Sequence, residues 1–216
     1  MSCIRMQGQV LITLPDHDIT TYYLHAWGNK VVNSAKEHGI TVTVLDKDKA
    51  NRKTLESYLS KVAFRMVFLN GHGDGTTVMG HRNEPLVIAG KNEDKLKSTI
   101  TYAISCSSAT ELGDASINAG ALCYVGYTED FMFTLDDNNA THPLEDKLAS
   151  LFLEHTNVFM NAMFKGRTVN EAYEKAKSSL WGSIMVAESS GNRDILSWLL
   201  WDYYAFVAKG HTESKL

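Results

Sequence analysis

The chain has 216 residues, 44% of them hydrophobic and 21% charged, with a formal net charge of -4 at pH 7. That composition suits one compact domain, residues 1–216, with a sizeable core, and the lack of a basic stripe excludes a nucleic-acid footprint. No apolar run approaches the roughly 20 residues that span a bilayer, and Val10 to Leu14 is too short for a signal-peptide core, so no membrane partner is expected. The three cysteines, Cys3, Cys106 and Cys123, are odd in number and lack CxxC spacing, which suits a reducing, cytoplasmic setting. The eight histidines do not fall at metal-ligand spacings, so no metal is expected.

The predicted elements alternate along the chain. Gln9 to Leu14 reads as a strand closed by Pro15-Asp16-His17-Asp18, and a helix from about Thr20 to His38 carries Tyr23, Trp27, Val31 and Ala35 on one stripe before stopping at Gly39. Ile40 to Leu45 is a second strand, completing a βαβ unit. After a charged loop, Asn51 caps a helix with Leu55, Tyr58, Leu59 and Val62 on one face. Phe64 to Asn70 is a buried strand that breaks at Gly71-His72-Gly73. Two short β runs around Arg82 to Pro85 form a hairpin, and Asn92 to Ser98 is a short polar helix. Ile100 to Ser105 is another β-rich run ending in Cys106. It passes into Ser108-Ala109-Thr110-Glu111, a capping-box spacing that starts a helix ending near Gly120, and Ala121 to Tyr127 is a fifth apolar strand.

The second part of the chain is more helical. Thr128 to His142 is turn-like, and Pro143 suits the first turn of a helix with Leu144, Leu148, Leu151 and Phe152 on one face. Thr168 and Glu171 form a second capping-box spacing, starting a helix through about Trp181; 182 to 187 fits either a strand or more helix. The last helix, Arg193 to about Lys209, presents Ile195, Leu199, Tyr203 and Phe206, with Leu196, Leu200, Tyr204 and Val207 one residue round. That arc is wider than packing on one sheet face needs, so the helix is an expected association element for a homo-oligomer or a partner protein, with core burial the alternative. The alternation argues for an α/β three-layer sandwich around a mainly parallel sheet.

Ligands in parallel sheets collect at the carboxyl ends of strands, where His72 and Cys106 both fall. A Cys/His pair across a cleft follows. A helix N-terminus and an imidazolium both favour the reactive thiolate, and Gly71 and Gly73 let the backbone approach a substrate closely. Asp74 adjoins His72, but successive side chains on an extended chain point apart, so it stays outside the mechanism. Singly, a Gly-His-Gly turn and a strand-end cysteine are ordinary features; together and in this order they point to a dyad.

The Asn70-Gly71-His72-Gly73-Asp74 segment, the hairpin after it, Ser105-Cys106-Ser107-Ser108-Ala109, Leu112 to Ala115, Ala119 to Ala121 and Tyr124 to Tyr127 resemble the caspase-like (clan CD) cysteine peptidases, nearest to the gingipain and CHAT branches. The resemblance implies a thiol endopeptidase acting on protein or peptide substrates without a cofactor, with His72 as general base, Cys106 as nucleophile, and the main-chain N–H groups of Gly73 and Cys106 as oxyanion hole. It also implies a specificity pocket formed by the loop after the first strand and by segments beside the cysteine. Those places offer Asp16, Asp18, Glu129 and Asp130 and no Arg or Lys, which predicts cleavage after Arg or Lys, with Asp16 the first candidate for the pocket carboxylate and Asp130 the second. The bland reading is that these are solvated turn residues, Asp16 or Asp18 capping the first helix. One departure is Ile104, where several basic-selective relatives carry Asp. Two other readings remain: a catalytically silent interaction module of the same fold, and a flavodoxin-like binder, for which Pro15 to Asp18 lacks a phosphate-cradling glycine loop.

Overall fold

A computed structural model of the protein describes residues 9–216; Cys3 lies outside them. The first βαβ unit is β1 (Gln9–Leu14), α1 (Ile19–Glu37) and β2 (Val42–Asp46). Asp18 begins α1 through a capping box: its carboxylate accepts the Thr21 N–H while the Thr21 hydroxyl accepts the Asp18 N–H. Then come α2 (Arg52–Lys61), capped by Asn51, β3 (Phe64–Asn70), and the hairpin of β4 (Thr77–Met79) and β5 (Pro85–Ile88). The chain continues through β6 (Ile100–Ile104), α3 (Glu111–Asn118) and β7 (Cys123–Tyr127). It ends with α4 (Lys147–Phe164), α5 (Val169–Ser190), α6 (Arg193–Ala205) and β8 (Phe206–Gly210).

Six strands form one sheet in the order β2-β1-β3-β6-β7-β8, parallel throughout except for β8, which runs antiparallel to β7. Strand alternation divides the core. Val10, Ile12 and Leu14 of β1, Met66 and Phe68 of β3, and Tyr102 of β6 face α1 and α4, meeting Tyr23, Trp27, Phe159 and Met160. Leu11, Val67, Leu69, Ala103 and Tyr124 point to the other face, against Leu55 of α2, Leu112 of α3 and Leu86 of the hairpin. With both faces covered, the central strands read as nearly continuous apolar runs. Among the described residues no helix is long and apolar enough to cross a membrane.

Several sequence expectations change in the fold. The predicted helix after Cys106 starts later and without its capping box: Ser107 to Thr110 make a turn, Thr110 occupies the N-cap without a side-chain cap bond, and its hydroxyl instead donates to the Ser107 carbonyl at 2.6 Å. Pro143 lies before the next helix rather than inside it, because the buried Asp146 accepts the Leu148 and Ala149 N–H groups and starts α4 there. The polar helix expected near 92–98 is a single 3₁₀ turn, Glu93–Leu96. Residues 182–187 continue α5 as helix. The last helix stops at Ala205, and Phe206–Gly210 closes the sheet edge as β8. An apolar run such as Phe206-Val207-Ala208 fits either periodicity, and the five pairings with β7 decide for the strand.

The apolar arc of α6 is used mainly internally. Leu199 is buried with Phe152, Leu180 and Ile184, and Ile195, Leu196, Leu200 and Tyr203 pack against that cluster. Trp198, Trp201 and Tyr204 remain 41%, 48% and 75% exposed.

Candidate active site

The sheet order sets the site. Because β1, β3, β6 and β7 are adjacent and parallel, the loops leaving their carboxyl ends lie in a row, carrying Asp16 to Asp18, His72, Cys106, and Glu129 with Asp130. The His72 and Cys106 segments are tied together: the Gly71 N–H donates to the Ile104 carbonyl at 3.2 Å and the Ser105 hydroxyl donates to the His72 carbonyl at 3.0 Å. Gly73 fits only as glycine, since a Cβ there would lie 2.1 Å from Ser105 Oγ and 2.4 Å from the Thr77 carbonyl oxygen.

His72 has a carboxylate partner that the sequence did not reveal. Its Nε2 lies 2.7 Å from Asp18 Oδ2. Burial pushes the Asp18 carboxyl up, but the Thr21 N–H, His72 and the Thr21 hydroxyl outweigh it, so the group sits below its ordinary value and is ionised at neutral pH. An ionised carboxylate only accepts, which places the proton of neutral His72 on Nε2 and leaves Nδ1 as the free base. Asp74 turns away, as expected, and binds Thr76.

Cys106 is half-buried, and its thiol donates to the Phe131 carbonyl at 3.9 Å. Burial, reinforced by the negative charge of Asp130, raises its pKa. A raised pKa keeps the sulfur a thiol at neutral pH, contrary to the helix-stabilised thiolate the sequence suggested, and the turn from Ser107 to Thr110 stands between it and α3. Cys123 is fully buried in β7, its thiol pushed up to about 12 by desolvation. The main-chain N–H of Cys106 reaches its own sulfur and offsets part of the rise in the Cys106 pKa.

The four expected specificity carboxylates differ in their engagement. Asp16 is ion-paired with Lys47 at 3.1 Å, and Asp18 is shared between the α1 cap and His72. Asp130 accepts the Ser107 hydroxyl at 3.1 Å, and the Glu129 carbonyl accepts the Ser107 N–H. Asp130 also lines a cavity of about 310 Å³ with Met132, Ser197, Trp198 and Trp201, and its carbonyl accepts the Trp201 indole N–H at 2.9 Å. The two tryptophans come from α6, whose placement beside the β7 loop no local signal predicts.

Behind this cavity lies Asp202, fully buried, with Oδ1 accepting the Met132 N–H at 2.9 Å and Oδ2 without a partner among the described residues. Burial, only partly offset by that hydrogen bond, holds its proton well above the usual carboxylate range. The unfolded chain ionises this group from about pH 4 upward while the fold keeps it protonated, so stability falls as pH rises through that window. Asp202→Asn removes the penalty and keeps an oxygen for Met132. Its Tm at pH 7.5 is expected to exceed that of the wild type, by roughly 2–4 °C for each kcal/mol recovered in a domain of this size. Thermal melts between pH 3.5 and 7.5 check this; a gap that does not close at the acid end contradicts it.

Histidines far apart in the chain meet at the same edge. His17 Nε2 lies 3.5 Å from Asp18 Oδ2 and 3.1 Å from Asn83 Oδ1, and the His81 ring meets His17 edge-on at 5.3 Å. His17, Asp18 and His72 bring ligand atoms within 4.8 Å of one another. Of the remaining histidines, His25 binds Asp46 on the surface and His155 is buried, its pKa lowered to about 4 by desolvation. No family model matches the chain, and no curated protein matches it in sequence.

Proposed function

We propose that the chain is a cysteine endopeptidase of the caspase-like type, working in a reducing, cytoplasmic setting. The observation that carries the reading is the sheet order, which sends Asp18, His72 and Cys106 out of three adjacent parallel strands at one edge. His72 Nδ1 takes the Cys106 proton as the sulfur attacks the scissile carbonyl, and Asp18 holds the resulting imidazolium through Nε2–H. The N–H groups of Gly73 and Cys106 receive the oxyanion, and His72 returns the proton to the leaving amine. Water deprotonated by His72 then hydrolyses the thioester. Because the resting thiol is neutral, proton transfer accompanies attack rather than preceding it.

For specificity, the cavity beside Asp130 suits Lys or Arg. Met132, Trp198 and Trp201 would flank the aliphatic stem, the indoles would favour the cation, and Asp130 would accept its hydrogen bonds. Lys47 already neutralises Asp16, which makes Asp130 the stronger of the two candidates. The test is a positional-scanning peptide library with wild type, Cys106→Ala and Asp130→Asn. Wild type is expected to cleave after Arg or Lys, Cys106→Ala to be inert, and Asp130→Asn to lose about tenfold in kcat/KM on basic substrates. Cleavage surviving in Cys106→Ala sinks the mechanism, and an apolar or acidic preference unchanged in Asp130→Asn sinks the pocket.

A second reading is a catalytically silent module of the same architecture that binds a partner protein or a second copy through the exposed Trp198, Trp201 and Tyr204 of α6. The raised pKa of Cys106 and its hydrogen bond to the Phe131 carbonyl favour it. Wild type that cleaves nothing in the library would decide for this reading.

A further inference from the structure

The cluster at the carboxyl end of β1 has a chemistry the peptidase does not use. Three side chains from two separate loops, His17, Asp18 and His72, converge with their ligand atoms within 4.8 Å of one another. Two imidazole nitrogens and one carboxylate oxygen form a donor set used by zinc sites that keep an open fourth position. The spacing is close to what the ion needs. Tetrahedral ligands about 2.1 Å from zinc lie roughly 3.4 Å apart; His17 Nε2 and Asp18 Oδ2 are 3.5 Å apart. His72 Nε2 and Asp18 Oδ2, now 2.7 Å apart across a shared proton, need to part by about 0.7 Å once that proton leaves.

The surroundings hold these groups in place. Asp18 is fixed by the α1 cap, its Oδ1 accepting both the N–H and the hydroxyl of Thr21, so Oδ2 is left to face the two rings. The Thr21 hydroxyl also accepts the His17 N–H and lies 3.4 Å from His17 Nδ1, which sets the ring with Nε2 toward Asp18. Such outer hydrogen bonds orient ligating histidines in metal sites generally. His17 Nε2 now meets Asn83 Oδ1, a contact that metal binding would exchange.

We propose that His17 Nε2, Asp18 Oδ2 and His72 Nε2 form a zinc site, with solvent in the fourth position, and that the bound ion switches off the peptidase proposed above. The switch follows from the valence of imidazole. A neutral ring carries one N–H; when zinc takes the Nε2 lone pair the ring proton sits on Nδ1, and His72 has no lone pair left to receive the Cys106 proton. Two protons, those of the former His72 Nε2–H···Asp18 and His17 Nε2–H···Asn83 bonds, are rearranged to Nδ1 of each ring through solvent, and no bond to Cys106 is made. The activity half of this inference rests on the peptidase reading; the metal half does not.

The experiment measures the two halves separately. Metal-free wild type and Cys106→Ala are titrated with zinc against a chromophoric chelator at pH 7.5, alongside His17→Ala, Asp18→Asn and His25→Asn. One equivalent is expected to bind wild type and Cys106→Ala alike, with affinity about 100-fold or more weaker in His17→Ala and Asp18→Asn and unchanged in His25→Asn. Cobalt in place of zinc is expected to give the intense visible absorption of a four-coordinate site in wild type and to lose it in His17→Ala. No stoichiometric binding, or binding lost in Cys106→Ala and kept in His17→Ala, overturns the site. In a peptide-cleavage assay zinc is expected to inhibit wild type, and His17→Ala to raise the half-inhibiting concentration about 100-fold. Binding with this pattern in a protein that cleaves no peptide upholds the site and overturns the switch together with the peptidase reading. Inhibition equal in wild type and His17→Ala overturns the switch alone.

Discussion

On the proposed peptidase reading, Asp18→Asn is expected to lower kcat for peptide cleavage by about 10²–10³ while leaving KM within about threefold and the fold intact. The asymmetry comes from the two oxygens. Oδ1 accepts the Thr21 N–H at the start of α1, a task an Asn oxygen performs equally well, so the cap survives and Tm should move by no more than about 2 °C. Oδ2 accepts the His72 Nε2–H, and in the variant an NH₂ occupies that place. A donor there favours the opposite tautomer, with the proton on Nδ1, the atom assigned above as the base. His72→Ala removes the base itself and is expected to cost about 10³–10⁴ in kcat/KM. Steady-state kinetics on one basic peptide, with melts run in parallel, measure both. A loss confined to KM would show that Asp18 touches substrate rather than positioning His72, and equal activity in all three proteins would remove His72 from the mechanism.

Gly71→Ala is expected to be the most destabilising single methyl in the site, by about 3 kcal/mol or more, dropping Tm by roughly 6 °C or more. Two costs add. Gly71 has φ +147°, which L side chains rarely adopt, and its Cβ would sit 2.2 Å from the Met79 carbonyl oxygen. The Met79 N–H is already bound to the His72 carbonyl at 2.8 Å, so the hairpin cannot swing away without breaking the contact that holds the His72 loop. Gly90→Ala is the comparison: φ is +75° there too, but nothing lies within 4 Å of the added carbon, so only the backbone cost remains. Urea melts of both variants separate the terms; equal losses would mean that the Met79 contact relaxes at no cost.

The sequence alone determined the alternation of strands and helices, the parallel sheet covered on both faces, the hairpin, the Asn51 and Thr168 caps, and the ends of β3 and β6 where His72 and Cys106 sit. These are local or periodic signals: apolar runs of strand length, stripes at helical spacing, and glycines where the chain turns out of the sheet. What only the tertiary structure decided depends on which strands become neighbours. The order β2-β1-β3-β6-β7-β8 brings Asp18 to His72, 54 positions along the chain, so the residue that the sequence offered as a pocket carboxylate or as the cap of α1 becomes the histidine's partner as well. It also carries Lys47 to Asp16 and the α6 tryptophans to Asp130. Phe206 to Gly210 became a strand for the same reason: β7 offered an open edge, and unpaired backbone groups along it are satisfied by a strand and not by a helix. The thiol of Cys106 shows the limit of local reading most directly. Its helix was visible in the sequence, but the turn from Ser107 to Thr110 and the burial that raises its pKa arise from packing against the β7 loop, which no nearby residue encodes.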